Sequence, residues 1–251
     1  MKPFVFVSDF DGTLTERDFY QLLIDKHLGQ TGQDLMAQWR NRELNDFDFL
    51  ATVFQSVNRT EQEILEDILS IKLDPSVPRF IERVTASNGD FMVLSAGTSY
   101  YIKEFFASLN LKDMSVISNP GIYANRGIKL MRDHTSPFFS ATYGIDKALV
   151  IKDMKAKYQT VYYAGDSGPD LEAAILADTA FAKGKLQALL ERRRHPYVPF
   201  ESFAQIENYL TDKRMIMNAE SAFPPYSDSE YPESRQRYPA PDRRINEKNR
   251  F

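Results

Sequence analysis

The sequence predicts an α/β fold: a parallel sheet with helices on both faces, carrying a small all-helical cap inserted near its start. Three observations predict it. Short apolar runs alternate with helical periodicities along most of the chain, the pattern of strands joined by crossover helices. Two of those runs end directly in acidic, glycine-containing turns, Asp9-Phe10-Asp11-Gly12 and Gly165-Asp166-Ser167-Gly168-Pro169-Asp170. The interval from the first run to the end of the second, Asp9 to Ser95, is nearly ninety residues. A single crossover with its helix needs roughly 30 to 40 residues, so roughly fifty are inserted.

Taken in order, Pro3 to Ser8 reads as a buried strand. The insertion follows, with apolar groups at Phe19, Leu22 and Leu23, then Leu35, Met36 and Trp39, then Phe47, Leu50, Val53 and Phe54, then Ile64, Leu65, Ile68 and Leu69. These spacings are helical. Asp90 to Ser95 is the second strand, and the stripe Ile102, Phe105, Phe106, Leu109 the helix after it. Met114 to Ser118 is a third strand, Ile145 to Lys157 a helix, Thr160 to Ala164 a strand, Leu171, Ala174 and Ile175 a helix, and Thr179 to Ala182 a short strand. From Ser221 to Phe251 the pattern stops. That segment holds 5 of the 13 prolines and shows no period, so it reads as a disordered tail that cannot offset its chain entropy. Its interleaved tyrosines and arginines also suit a partner. The expected division is residues 1–15 and 76–212 for the sheet domain, 16–75 for the cap and 213–251 for the tail.

Composition removes several classes. The 251 residues carry 31 Lys+Arg against 35 Asp+Glu, a net charge of −4, with 43% apolar residues and no cysteine. A slightly acidic chain argues against nucleic-acid binding. No stretch approaches the ~18–20 apolar residues of a membrane span, and the first apolar run is too short for a signal peptide. Without cysteine there is no disulfide and no thiolate nucleophile. A cytoplasmic location fits, and the oligomeric state is left open. His27 and His134 lack metal-ligand spacing, and Glu191 to His195 reads as a basic helix end.

Ligands in open α/β sheets bind at the carboxyl ends of strands, where both acidic turns fall. In Asp9-Phe10-Asp11-Gly12-Thr13-Leu14-Thr15, one carboxylate is placed to attack phosphorus and the other to protonate a leaving oxygen and then activate water. The same residues also read as an Asx turn at a strand end. Asp166 and Asp170 offer the hard oxygens that suit magnesium, or equally a helix start. Ser95-Ala96-Gly97-Thr98 combines a hydroxyl, small residues and free N–H groups at a helix N-terminus, an anion site or a plain cap. Lys147 is placed to neutralise charge in the same crevice, or to lie solvated on its helix. Asp18, Phe19, Tyr20 and Leu23 fall on the first cap helix nearest the crevice. Phe19 and Leu23 suit the cap core, while Asp18 and Tyr20 are the candidates for substrate selection.

Together, strand-DFDGTLT, strand-Ser95, Lys147 and strand-GDSGPD resemble the haloacid dehalogenase superfamily of aspartate-dependent phosphohydrolases, over roughly Lys2 to Leu210. The resemblance implies a Rossmann-like core and a Mg2+ cofactor. It implies Asp9 as nucleophile and metal ligand, and Asp11 as general acid/base with its backbone carbonyl on the metal. Ser95, with Ala96 and Gly97, would hold phosphate, and Lys147 would stabilise phosphoryl charge. Asp166 would ligate the metal and Asp170 would complete or support that site. The cap after the first motif resembles the phosphoserine-phosphatase-like branch, closest to the 2-hydroxy-3-keto-5-methylthiopentenyl-1-phosphate phosphatase-like group of methionine salvage. Two departures stand out. That group's middle region carries a cysteine cluster absent here, and phosphoserine phosphatases place a glutamate where Asp18 stands. The helix Phe47 to Val57 also lacks an arginine for a substrate carboxylate. The implied activity is hydrolysis of a small phosphorylated metabolite. Phosphotransfer with the same nucleophile and a non-enzymatic binding role are the alternatives.

Overall fold

A computed structural model describes residues 2–216. The first apolar run becomes β1 (Phe4–Ser8), buried at every position, as a strand covered on both faces must be. The insertion then forms α1 (Phe19–Leu23), a π turn over Ile24–Leu28, α2 (Gly29–Arg40), α3 (Asp46–Ser56) and α4 (Glu61–Leu69), and α5 (Val77–Ala86) returns to the sheet. The remaining elements are β2 (Asp90–Thr98), α6 (Ser99–Ser108), β3 (Ser115–Asn119), β4 (Gly121–Ala124), β5 (Gly127–Leu130), β6 (Phe139–Ser140), β7 (Gly144–Ile145), α7 (Lys147–Lys157), β8 (Thr160–Gly165), α8 (Leu171–Leu176), β9 (Thr179–Ala182), α9 (Gly184–Arg192), β10 (Val198–Pro199) and α10 (Phe203–Asp212).

Six strands form one sheet in the order β10-β9-β8-β1-β2-β3, and every pairing in it is parallel. The chain builds outward from β1 to β2 and β3, then crosses back to lay β8, β9 and β10 on the other side. The order therefore reverses between β1 and β8, and a ligand crevice opens at the carboxyl ends of those two strands.

Alternation along the strands separates two cores. Phe4 and Phe6 face the layer of α5, α6 and α10, where Phe6 meets Phe80 edge-on at 4.7 Å and Phe181 at 5.7 Å. Val5 and Val7 face α7, α8 and α9, against Val150, Ile151, Ala173, Ala174 and Leu186. Each such buried side chain contributes about 1.5–3 kcal/mol, so a register slip in β1 would exchange two fully built layers.

The inserted segment leaves and rejoins the core at one crossing. Thr15 bridges Leu73, Glu16 N–H donates to Lys72 O at 3.0 Å, and Asp74 N–H donates to Leu14 O at 2.9 Å. Its helices are locally specified. Thr60 and Glu63 form a reciprocal capping box at the start of α4, and Asn45 caps α3 through Asp48 N–H at 2.9 Å. Phe19, Leu23, Phe47, Phe49, Val53, Phe54, Ile64 and Ile68 fill the interior. His27 is locally bonded there, with Nε2 2.5 Å from the buried Asp67 and Nδ1 accepting from Arg59 at 3.1 Å.

The hairpin β4–β5 docks on α3, an element the sequence reading did not contain. Arg59 N–H donates to Arg126 O at 2.8 Å, and Gly127 lies so close that a Cβ there would come 2.7 Å from Gln55 O. Four-residue strands with one apolar face carry too little periodicity to stand out. At the other end, Lys213 to Ile216 stay on α10: Met215 N–H donates to Leu210 O at 2.8 Å and Ile216 is buried. The rest of the expected tail, including Ser221 to Phe251, lies outside the described residues. Among the described residues, no helix is long and apolar enough to cross a membrane.

Candidate active site

The two acidic turns meet in the crevice between β1 and β8. Asp9 N–H donates to Ala164 O at 2.9 Å, which carries the β1–β8 ladder one residue past β1 and holds Asp9 beside the end of β8. Gly12 then turns the chain with φ +74°, a conformation that favours glycine. A Cβ there would also lie 2.8 Å from Asp166 Oδ2, so the same glycine lets the first turn close on the second. Carboxylate oxygens of Asp9, Asp166 and Asp170 lie within 4.8 Å of one another.

Lys147 links these groups. Its Nζ donates to Asp9 Oδ1 and to Asp170 Oδ1, each at 2.6 Å, and its side chain is 3% exposed. The helix was expected from Ile145, but it begins at Lys147. Ile145 belongs to β7, and Asp146 caps α7 by accepting from Ala148 N–H at 2.9 Å and Leu149 N–H at 3.2 Å. Lys147 therefore extends from the first turn into the crevice.

Asp170 is fully engaged. Oδ1 takes Lys147 and, at 2.6 Å, the Tyr163 hydroxyl; Oδ2 takes the N–H groups of Asp166 and Ser167, each at 3.0 Å. It therefore anchors Lys147 and the Asp166 turn, and its carboxylate also lies within the acidic group that could hold a metal ion.

Asp11 is held from two sides. Oδ1 accepts from Phe19 N–H at 2.9 Å, at the start of the cap, and Oδ2 accepts from the Tyr101 hydroxyl on α6. Ser95, 1% exposed, lies in β2 where its register with β3 begins to shift, and its Oγ accepts from Gly97 N–H at 2.9 Å. Thr98 caps α6 through Tyr100 N–H at 3.3 Å. Part of the expected anion site is thus occupied by its own turn. Asn119 braces the loop, donating to Ala96 O at 2.8 Å and to Tyr143 O at 2.9 Å.

Burial dominates the electrostatics. It raises Asp9 well above the ordinary carboxylate range, with Asp170 and Asp166 adding to the effect against Lys147. Burial also raises Asp166, helped by Asp170, and lifts Asp11 to about 7 against the hydrogen bonds of Tyr101 and Phe19. For Asp170 burial is outweighed by Lys147 and the other donors, so its carboxyl stays low. Burial would lower Lys147, but Asp170 and Asp9 hold it above its ordinary value. The cluster thus holds more acid than one ammonium offsets. Hard oxygen donors with uncompensated charge, grouped at Asp9, Asp166 and Asp170, fit a divalent cation of the magnesium type.

A cavity of about 530 Å³ opens above these groups. Its floor is Asp9, Asp11, Ser95, Ala96, Gly97, Lys147 and Asp166, and its cap wall includes Asp18, Tyr20, Gln21, Trp39 and Phe49. Asp18 occupies the N-cap position of α1, yet its side chain makes no cap bond; it accepts from Gln21 Nε2 at 2.7 Å and burial raises it to about 7. Trp39 stacks on Phe49 at 4.7 Å, with Tyr20 edge-on to Phe49 at 5.2 Å. Trp39, read from the sequence as packing alone, is both packing and wall. Tyr101, Asp46, Tyr143 and Lys185 also line the cavity without having been singled out. Only Tyr101 had a usable signal: a polar-tipped aromatic in the first turn after Ser95-Ala96-Gly97-Thr98.

Residues 6–174 match the haloacid dehalogenase-like hydrolase family. The chain is 26% identical over 205 residues to 2-hydroxy-3-keto-5-methylthiopentenyl-1-phosphate phosphatase of Bacillus cereus (strain ATCC 10987 / NRS 248), covering 80% of this chain and 93% of that one. The Bacillus anthracis protein of the same name is 24% identical over the same coverage. Among solved structures, a phospho-aspartyl intermediate analogue of phosphoserine phosphatase superposes with TM-score 0.60 at 12% identity, over 83% of this chain and 99% of that one. A HAD family hydrolase from Salmonella enterica subsp. enterica serovar Typhi superposes with TM-score 0.63 at 17% identity, over 80% and 69%.

Proposed function

The chain belongs to the haloacid dehalogenase-like hydrolases and is a phosphoric monoester hydrolase; from that premise we propose a magnesium-dependent enzyme that works through an aspartyl-phosphate. The observation that carries this reading is the pair Asp9 and Asp11 at one strand end, with Lys147 on the first and donors on both oxygens of the second.

In the first step an Asp9 carboxylate oxygen bonds to phosphorus as the ester P–O bond breaks, and the leaving oxygen takes a proton from Asp11. In the second step Asp11 takes a proton from water, the water oxygen bonds to phosphorus, and the bond from phosphorus to Asp9 breaks to release phosphate. Lys147 and the Ser95-Ala96-Gly97 turn hold the phosphoryl oxygens, because phosphoryl transfer depends on positioning and charge. Asp9, Asp166 and the Asp11 carbonyl would hold magnesium, which when bound would supply positive charge against those oxygens.

For the leaving group we infer a small metabolite with an apolar, uncharged body. Trp39, Phe49 and Tyr20 offer aromatic surface, and the lining cations are Lys147, engaged with Asp9 and Asp170, and Lys185, whose charge acts on Asp18. That wall suits 2-hydroxy-3-keto-5-methylthiopentenyl-1-phosphate, the substrate in the relatives' name, and with it a role in methionine salvage. It suits phosphoserine, whose carboxylate wants a cation, less well. A panel of phosphate monoesters assayed with and without magnesium tests the reading. Wild type turns over in magnesium and Asp9→Asn does not; turnover by Asp9→Asn at the wild-type rate would remove the nucleophile assignment.

A further inference from the structure

Asp11 must lend a proton in one half-reaction and take one in the next, so its carboxyl has to keep one orientation through both. Tyr101 is built to hold it. The Tyr101 hydroxyl donates to Asp11 Oδ2, and it lies against the Ser95-Ala96-Gly97 turn. The ring is 1% exposed and clamped by aromatics, with Phe19 at 4.7 Å, Phe10 at 5.9 Å and Phe54 at 5.9 Å between centroids. A Cβ on Gly97 would collide with the hydroxyl, so the glycine of the Ser95-Ala96-Gly97 turn is what leaves it room.

We propose that Tyr101 is a positioning residue for the acid/base carboxyl of Asp11, aiming it at the leaving-group oxygen from beside the phosphate turn. The inference rests on the phosphatase reading above. Its chemistry is that of a locked outer partner: a side chain fixed by packing fixes the rotamer of the group that reacts. Because Phe19 N–H holds the other oxygen at 2.9 Å, loss of the hydroxyl frees one end of the carboxyl and leaves the backbone tether in place.

Tyr101→Phe keeps the ring and removes the hydroxyl, and leaving-group dependence separates positioning from general damage. An alkyl phosphate needs protonation as it departs, whereas 4-nitrophenyl phosphate releases a phenolate that leaves without it. The expected result is a fall in kcat/KM of about 10- to 100-fold for the alkyl ester, within the range ascribed to acid–base catalysis and its supporting contacts. For the nitrophenyl ester kcat/KM should stay within about threefold, while kcat falls and a burst of nitrophenol appears as the aspartyl-phosphate accumulates. An equal loss on both esters, or none on either, overturns the assignment. A wild-type protein inert toward both esters would instead overturn the phosphatase reading itself.

Discussion

Lys147 Nζ lies 2.6 Å from Asp170 Oδ1, and Asp170 is fully buried. The pair is the support on which the rest of the cluster stands, because Asp170 also holds Tyr163 and the turn carrying Asp166. Removing one member of a buried pair leaves the other charge uncompensated. Asp170→Ala should therefore lose about 3–5 kcal/mol of stability in urea titration. Asp170→Asn, which keeps the shape, should fold but lose about 10- to 100-fold in kcat as its neighbours lose their orientation.

Magnesium and protons should compete for the same carboxylates. Burial raises Asp9, Asp11 and Asp166 above their unfolded values. A carboxyl with a raised folded pKa favours the folded state below its unfolded pKa and loses that contribution as pH rises through the folded one. Metal-free protein should therefore lose Tm between pH 5 and pH 8, and added magnesium should raise Tm more at pH 8 than at pH 5. The shift should shrink in Asp166→Asn. Thermal melts with and without EDTA read both effects, and an equal magnesium shift at the two pH values would contradict them.

The aromatic wall should act on the leaving group and leave the phosphoryl group alone. Trp39→Ala removes the ring stacked on Phe49 and should raise KM at least about fivefold for esters with an apolar body, a loss of the order of one buried aromatic contact. Inhibition by inorganic phosphate should be unchanged. If both constants moved together, Trp39 would be supporting the cap and not touching substrate.

Asp18 should select substrate through its carboxyl. It is aimed into the cavity, with Gln21 as its hydrogen-bond partner. Asp18→Asn, nearly isosteric, should reorder the kcat/KM values across a panel of alkyl phosphates while leaving the rate with 4-nitrophenyl phosphate within about threefold, since one polar contact is worth about 1 kcal/mol. An unchanged profile removes Asp18 from substrate selection.

The hairpin and the cap should be stable only together. Gly127 sits against the backbone of Phe54 and Gln55, with a Cβ reaching 2.8 Å and 2.7 Å from their carbonyl oxygens. Gly127→Val should cost about 1–3 kcal/mol by forcing the hairpin off α3. Hydrogen exchange should then rise in both segments, and not elsewhere.

How much of this was legible beforehand follows distance along the chain. Asp9, Asp11, Ser95, Asp166 and Asp170 each lie at the end of an apolar run or a few residues past it, so their place at a strand end could be read from near neighbours. Lys147 was readable by type and by its position before a strand, but not its exchange of solvent for two buried carboxylates. Asp170 was readable as acidic, but not its hold on Lys147, Tyr163 and the Asp166 turn. Tyr101 and Asp11 lie 90 positions apart, and no local pattern joins them.

The sequence by itself determined the α/β class, the inserted helices and the strand-end acids, because apolar periodicity and turn chemistry are short-range and each residue type carries its own reason to be there. Only the tertiary structure decided what those acids do for one another. The reversal of strand order between β1 and β8 brings Asp9 beside Asp166, and burial there raises their charge cost, makes Lys147 necessary and leaves room for a cation. It also decided the cavity wall. Tyr20, Trp39 and Phe49 come from three cap helices whose packing brings their rings together, and Tyr101, on a helix of the sheet domain, meets the cap through Phe19 and Phe54.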